Sequence, residues 1–155
     1  AAIGVFFLAM FIGGCAGSTA GGIKVNRIII LYALMRASFR RVIRPHSVQR
    51  LKYGRDDISL DTLQSVTIFI FLFFLSLLLG TTSLAMCGLD LLTAFSAALT
   101  AVGNVGPGFG QFIGPAGNFS FLPDPALWIL SFLMLIGRLE LVTVLVILSP
   151  SFWRD

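Results

Sequence analysis

The sequence predicts an all-α membrane protein, the C-terminal part of a larger one, with one re-entrant pore loop and one broken helix. Three observations predict it. The chain is 57% hydrophobic and only 12% charged, with a mean hydropathy of +0.95, where soluble domains carry roughly 25% charged residues. Two glycine-rich knots, GGCAGSTAGGIK at residues 13–24 and GNVGPGFG at residues 103–110, interrupt the apolar segments. A charge-free stretch long enough to cross a bilayer is followed at once by a helix too short to do so.

Residues 1–12, AAIGVFFLAMFI, form an apolar helix shorter than the roughly 20 residues a span needs. No basic region precedes them and no starting methionine is present, so they read as the last half of a span in a larger protein, not as a signal peptide. The break that follows holds five glycines. In hydrocarbon every backbone N–H and C=O needs a partner, so such a break is tolerated only where it is buried in protein or lines a watery cavity. Transporters place these interruptions at the ion path. A phosphate loop is rejected, because Gly17 and Gly22 have the spacing of GxxxxGK[ST] but Ile23 stands where lysine is required.

From residue 23 to about 39, Ile28, Leu31, Tyr32 and Met35 recur at helical spacing, with Arg27, Arg36 and Arg40 sharing the remainder. This reads as a helix leaving the membrane. Nine of the eleven basic residues lie between Lys24 and Arg55, and a short basic connector between apolar spans marks the cytoplasmic side. It is solvated membrane-flank charge, not a nucleic-acid patch. Pro45 stops or kinks the helix, and short β-branched pieces on either side of Tyr53-Gly54-Arg55-Asp56 read as a small hairpin or loop. His46, Asp56, Asp57 and Asp61 belong to that solvated connector and not to a metal or catalytic site. Cys15 and Cys87 are expected about half a membrane or more apart, as small buried or interfacial residues outside any disulfide.

Residues 62–89 contain no charged residue and their centre, VTIFIFLFFLSLLLG, is apolar on every face, a full span running from cytoplasm to outside. Asp90 then opens DLLTAFSAALTAV, about 18 Å of helix at 1.5 Å per residue. Too short to cross, it reads as a re-entrant pore helix, its acid at the N-terminus and the partial negative charge of its other end aimed at a cation. The glycine-rich run after it can be an ordinary external turn or a carbonyl filter strand. Its place after a half-length helix, between two spans, favours the strand, in which Asn104, Val105, Gly106 and Pro107 present backbone oxygens to a dehydrated ion. Residues 111–125 form an external loop, and Asn118-Phe119-Ser120 within it matches a glycosylation acceptor by chance. Pro125 opens the last span, expected over residues 126–148, and Trp153 and Arg154 anchor the tail at the interface.

That span carries Arg138 and Glu140 near its midpoint, where an arginine costs about 2.5 to 3.5 kcal/mol on the gentlest scale. Two residues apart is about 200° around a helix, so the pair cannot neutralise itself along one face. One faces the pore and the other a neighbouring helix, or both serve as structural partners between helices.

The order of GGxxGSTAGGIK loop, basic connector, span, pore helix, NVGPG and a final helix with a central arginine resembles the C-terminal part of the Trk/Ktr/HKT superfamily of potassium transporters, the bacterial Trk-type membrane subunits most of all. The resemblance covers essentially the whole chain. It implies four helix/pore-loop/helix repeats around one potassium pathway in a single polypeptide. Residues 1–44 would be the second helix of the third repeat, 45–61 the cytoplasmic connector, 62–149 the fourth repeat and 150–155 a cytoplasmic tail. By the resemblance, Asn104, Val105, Gly106 and Pro107 are the fourth filter strand, with potassium held at the first three. Gly13, Gly14, Gly17, Ser18, Thr19, Gly21, Gly22 and Lys24 form the gate loop, and Arg138 is the electrostatic barrier beside it.

The resemblance further implies no enzyme activity, no cofactor beyond transported K+, and a multi-pass protein of the cytoplasmic (inner) membrane with residues 25–61 and the C-terminus inside. Its implied partners are the lipid bilayer, three further pore-loop repeats of its own chain, a second copy in a homodimer, and a cytoplasmic nucleotide-binding regulatory subunit, with no nucleic acid. Pro107 departs from the TVGYG of simple potassium channels, which bears on potassium over sodium selectivity. Rival readings of the same residues are a simple homotetrameric cation channel and a non-conducting membrane scaffold whose glycines only bring helices together.

Overall fold

The computed structural model describes residues 2–14, 21–43, 52–53, 56–57, 59–109, 113–114 and 117–139. In chain order these form α1 (Ala2–Ile12), α2 (Val25–Ile43), β1 (Lys52–Tyr53), β2 (Asp56–Asp57), α3 (Leu60–Met86), α4 (Leu91–Gly103), a 3-10 turn (Phe119–Phe121) and α5 (Asp124–Arg138). The small hairpin of the connector is present, with Lys52 opposite Asp57 and Tyr53 opposite Asp56 in antiparallel register. The helical spacing read to about residue 39 continues as helix to Ile43. Arginines are good helix formers, and α2 closes just before Arg44-Pro45, a dipeptide whose first residue proline disfavours in helix.

α3 has 27 residues, about 40 Å of helix at 1.5 Å per residue, ample for a hydrocarbon core of roughly 30 Å. Ser59 caps its start by accepting the Thr62 N–H at 3.2 Å. It ends at Met86 and not at residue 89 because Gly88, at φ 90°, takes the left-handed position. The Gly88 N–H returns to Ala85 O and the Leu89 N–H to Leu84 O, the pair of bonds that closes a Schellman stop.

Although α3 is apolar all round, only one stripe is buried. Leu63, Val66, Phe69, Phe73, Leu77 and Leu84 pack inward, while Ile68, Phe71, Phe74, Leu78 and Leu79 are exposed. Two hydroxyls are satisfied within their own helices: Thr81 Oγ1 donates to Leu77 O at 2.7 Å and Ser131 Oγ to Leu127 O at 2.8 Å.

α4 has 13 residues, about 20 Å of helix, and Asp90 caps it by accepting the Leu92 N–H at 3.2 Å. It is buried almost throughout, from Thr93 onward with Phe95 half-buried, between α3 and α5. Ala94, Ala97, Ala98 and Ala101 are essentially inaccessible, and such small residues let helices approach closely in a membrane. α5 begins as expected, with Pro125 in its first turn, and turns Ala126, Leu130 and Leu133 inward. The three helices meet at Gly80, where an added Cβ would lie 2.6 Å from Leu133 Cδ1 and 3.4 Å from Ala98 Cβ.

That meeting point sets an expected stability series. Leu133 Cδ1 is the movable end of a side chain, so Gly80→Ala should change stability by less than about 1 kcal/mol, whereas Gly80→Phe overpacks the junction by about 1 to 3 kcal/mol. Thermal denaturation of the detergent-solubilised protein orders the variants, and equal midpoints for the two would refute the close α3/α5 contact.

Candidate functional site

The C-terminal end of α4 is where the separate parts of the chain come together. A helix leaves its last four carbonyls without helical partners. Here the Asn104 N–H returns to Ala101 O and the Val105 N–H to Thr100 O, each at 3.1 Å, with Asn104 in the left-handed region at φ 52°. The next two carbonyls are met by glycine. A Cβ on Gly21 would lie 2.8 Å from both Val102 O and Gly103 O, and a Cβ on Gly137 would collide with Val102 O from α5. The glycine break and the last helix thus both press on the Val102 carbonyl.

The break between α1 and α2 is closed at its base by three bonds. The amides of Ile23, Lys24 and Val25 donate to Phe11 O, Ile12 O and Gly14 O at 3.3, 3.0 and 3.3 Å. Gly13 (φ 68°) and Gly22 (φ 87°) have the positive φ that glycine permits, and they are back to back: a Cβ on Gly22 would lie 3.0 Å from the Cα of Gly13. Lys24 adopts φ 64°, at the exit into α2. One turn on, the Arg27 guanidinium carbon sits 3.7 Å from the centre of the buried Phe69 ring, a cation–π contact that ties α2 to α3. Of the predicted gate-loop residues, Gly13, Gly14, Gly21, Gly22 and Lys24 fall at this base; Gly17, Ser18 and Thr19 lie outside the described residues, as does Cys15.

After α4 the predicted filter segment comes to the surface of this chain. Val105 and Gly106 are exposed and Pro107 is half-buried, and Gly106 has φ 107°. The far end of the segment is fixed by Ser96, a fully buried residue of α4. Its Oγ donates to Phe109 O at 2.7 Å and accepts the Phe109 N–H at 3.0 Å. The Gly108 N–H donates to Ile113 O at 2.8 Å. At the near end the Asn104 side-chain amide donates to Met134 O of α5 at 3.2 Å.

α5 closes at Arg138, with the Leu139 N–H still reaching Leu135 O; the rest of the span expected over residues 126–148 lies outside the described residues. Gly137, a poor helix former held against Val102, lies in its last turn. Arg138 is therefore a cation in the last turn of a helix, where the dipole favours it, and it is exposed on this chain's surface. Glu140 lies outside the described residues.

Sequence reasoning assigned no part to Ser96, Gly137 or the Asn104 side chain. A lone serine in an apolar half-length helix and a glycine beside the intramembrane arginine were the available signals. Both residue types are common enough in membrane helices that neither signal is specific.

The chain as a whole resembles known proteins. The family model TrkH, described as cation transport protein, matches residues 1–154. The chain is 48% identical over 150 residues to the Trk system potassium uptake protein TrkI of Halomonas elongata, covering 97% of this chain and 30% of that protein. It is 37% identical over 145 residues to the Trk system potassium uptake protein TrkH of Escherichia coli K12, covering 94% of this chain and 29% of that protein. Among solved structures, the potassium transporter TrkH from Vibrio parahaemolyticus superposes with a TM-score of 0.86 at 37% identity, over 97% of this chain and 31% of that one. The chain thus spans about 30% of the length of the relatives it matches, and it belongs to the TrkH family of cation transport proteins.

Proposed function

We propose that this chain supplies one quarter of a potassium-uptake pathway. Asn104, Val105 and Gly106, followed by Pro107, form one carbonyl strand of the filter; residues 13–24 gate the path beneath it; Arg138 sets an electrostatic barrier beside the gate. The observation that carries this reading is the convergence at the carbonyl end of α4, where Gly21 of the break and Gly137, the neighbour of Arg138, both close on Val102. A helix that stops halfway has its negative end at that depth, and the segment beyond it is exposed where further repeats would meet it. The names of the relatives, potassium uptake proteins of Trk systems, supply the ion.

The pathway requires more than this chain contains. Three further pore-loop repeats complete the filter, residues 62–149 being one repeat, and the assembled protein sits in the inner membrane with residues 25–61 inside. A homodimer served by a nucleotide-binding regulatory subunit fits the description of the relatives as parts of a system.

Two outcomes are expected in the complete gene product reconstituted in liposomes. A fixed positive charge about 10 Å from the ion at an effective dielectric of about 20 repels it by about 1.7 kcal/mol, so Arg138→Ala should raise potassium flux roughly ten- to twentyfold. Shortening the loop at residues 15–20 should also raise it, and unchanged flux in both variants would remove the gate and barrier assignments. At Gly106 a side chain would enter open space but at φ 107°, a strain of about 1 to 3 kcal/mol. Gly106→Ser should therefore insert normally yet fail to restore growth of a potassium-uptake-deficient strain on low potassium; full restoration would favour the scaffold reading.

A further inference from the structure

We propose that the Asn104 side chain is a positioning group that moors the filter strand to the turn of α5 carrying Arg138, and that this mooring sets how well the strand distinguishes potassium from sodium. The inference deepens the filter reading above and rests on it.

The chain contains its own comparison. α3 and α4 end with the same backbone device, a left-handed residue followed by an N–H that closes back over the last turn. In α3 that residue is Gly88, with open space where a side chain would go. Glycine is the ordinary choice for the position because a Cβ is strained there, and asparagine is a tolerated second. α4 uses Asn104, and its side chain is engaged: the amide nitrogen donates to Met134 O, 30 residues away, at 3.2 Å. The backbone stop alone would be served by glycine, so the amide is what asparagine adds.

The receiving surface is shaped for it. Gly137 lies one turn beyond Met134, and a Cβ there would come within 2.9 Å of Asn104 Nδ2 while colliding with Val102 O. Removing that Cβ opens the space the amide and the carbonyl occupy. Met134, Gly137 and Arg138 are related by three and four residues, so they share one face of the last turn of α5. A main-chain carbonyl has two lone pairs, so Met134 O can take the amide in addition to its place in the helix.

The mooring acts sideways. Other bonds tie the strand along its own repeat, to Thr100 O from Val105 and to Ile113 O from Gly108; the amide ties it to a different helix. A carbonyl filter distinguishes ions by how its oxygens are held when the hydration shell is replaced. A strand released from α5 can draw in around the smaller sodium ion.

The test compares potassium and sodium fluxes through the complete gene product in liposomes. Asn104→Gly keeps the left-handed stop and removes the amide; Asn104→Asp keeps the shape and removes the donor; Gly137→Ala pushes α5 away from the same contact. A lost hydrogen bond of this kind corresponds to a roughly two- to tenfold change in an equilibrium, so each variant should lower the potassium-to-sodium flux ratio by about that factor. A purely structural role would instead lower both fluxes together and leave the ratio in place. A wild-type ratio in Asn104→Gly, or in Gly137→Ala should the asparagine variants fail to insert, overturns the mooring even where Gly106→Ser abolishes uptake. Unimpaired uptake by Gly106→Ser overturns the filter reading and the mooring with it.

Discussion

A helix that stops inside a membrane leaves carbonyls where water cannot reach them, and the ending of α4 is the constraint around which the other elements are arranged. In hydrocarbon an unsatisfied peptide group costs several kcal/mol. The chain answers by folding Asn104 and Val105 back over Thr100 and Ala101. Two glycines pack close beside the carbonyls that follow, Gly21 against Val102 O and Gly103 O and Gly137 against Val102 O. Any side chain at Gly21 or Gly137 would hold the break or α5 away from that end. The half-length helix, the break and the last helix are consequently one structural unit despite lying more than a hundred residues apart in sequence.

The break obeys the same constraint by a different route. Its base is sealed before the loop departs, since the first amides after it return to the last carbonyls of α1. The two sides of the break are therefore paired with each other where α1 ends and α2 begins. Gly13 and Gly22 make this possible through positive φ and through contact too close for a Cβ on either partner. The Arg27–Phe69 contact then holds the second half to α3, so movement of the loop base has a direct mechanical connection to the spanning helix.

The sequence made the parts of this design legible to different degrees. The half-length helix and its Asp90 cap could be read because length and an acidic N-terminus are local properties. The broken helix could be read because five glycines clustered in an apolar setting are a poor match to a continuous spanning helix. Helix ends moved by a few residues where a left-handed glycine or a pre-proline residue decides the boundary, as at Gly88 and Arg44. The buried face of α3 could not be read, because a helix that is apolar all round has no amphipathic signal and packing alone selects Leu63, Phe69, Phe73 and Leu77. The Ser96 clamp, the Asn104 amide and the Gly137 contact were hidden for another reason: each joins residues 13 to 35 positions apart, and spacing along the chain does not reveal such pairs.

The exposed segment after α4 gains its order from these hidden contacts. Large apolar residues on α3 and α5, among them Phe71, Leu78, Trp128 and Phe132, face outward, so this scaffold presents hydrocarbon-compatible surface outside. Asn104 is held to α5 and Phe109 is held on both its N–H and its C=O by Ser96. Fixing a free residue costs about 1 to 2 kcal/mol of backbone entropy, but this stretch has little freedom left to lose. Pro107 locks one φ, Gly106 is already committed to φ 107°, and both ends are anchored. A short backbone segment restrained in this way can be exposed and still keep its carbonyls in register, which is the property an ion filter needs and an ordinary turn does not.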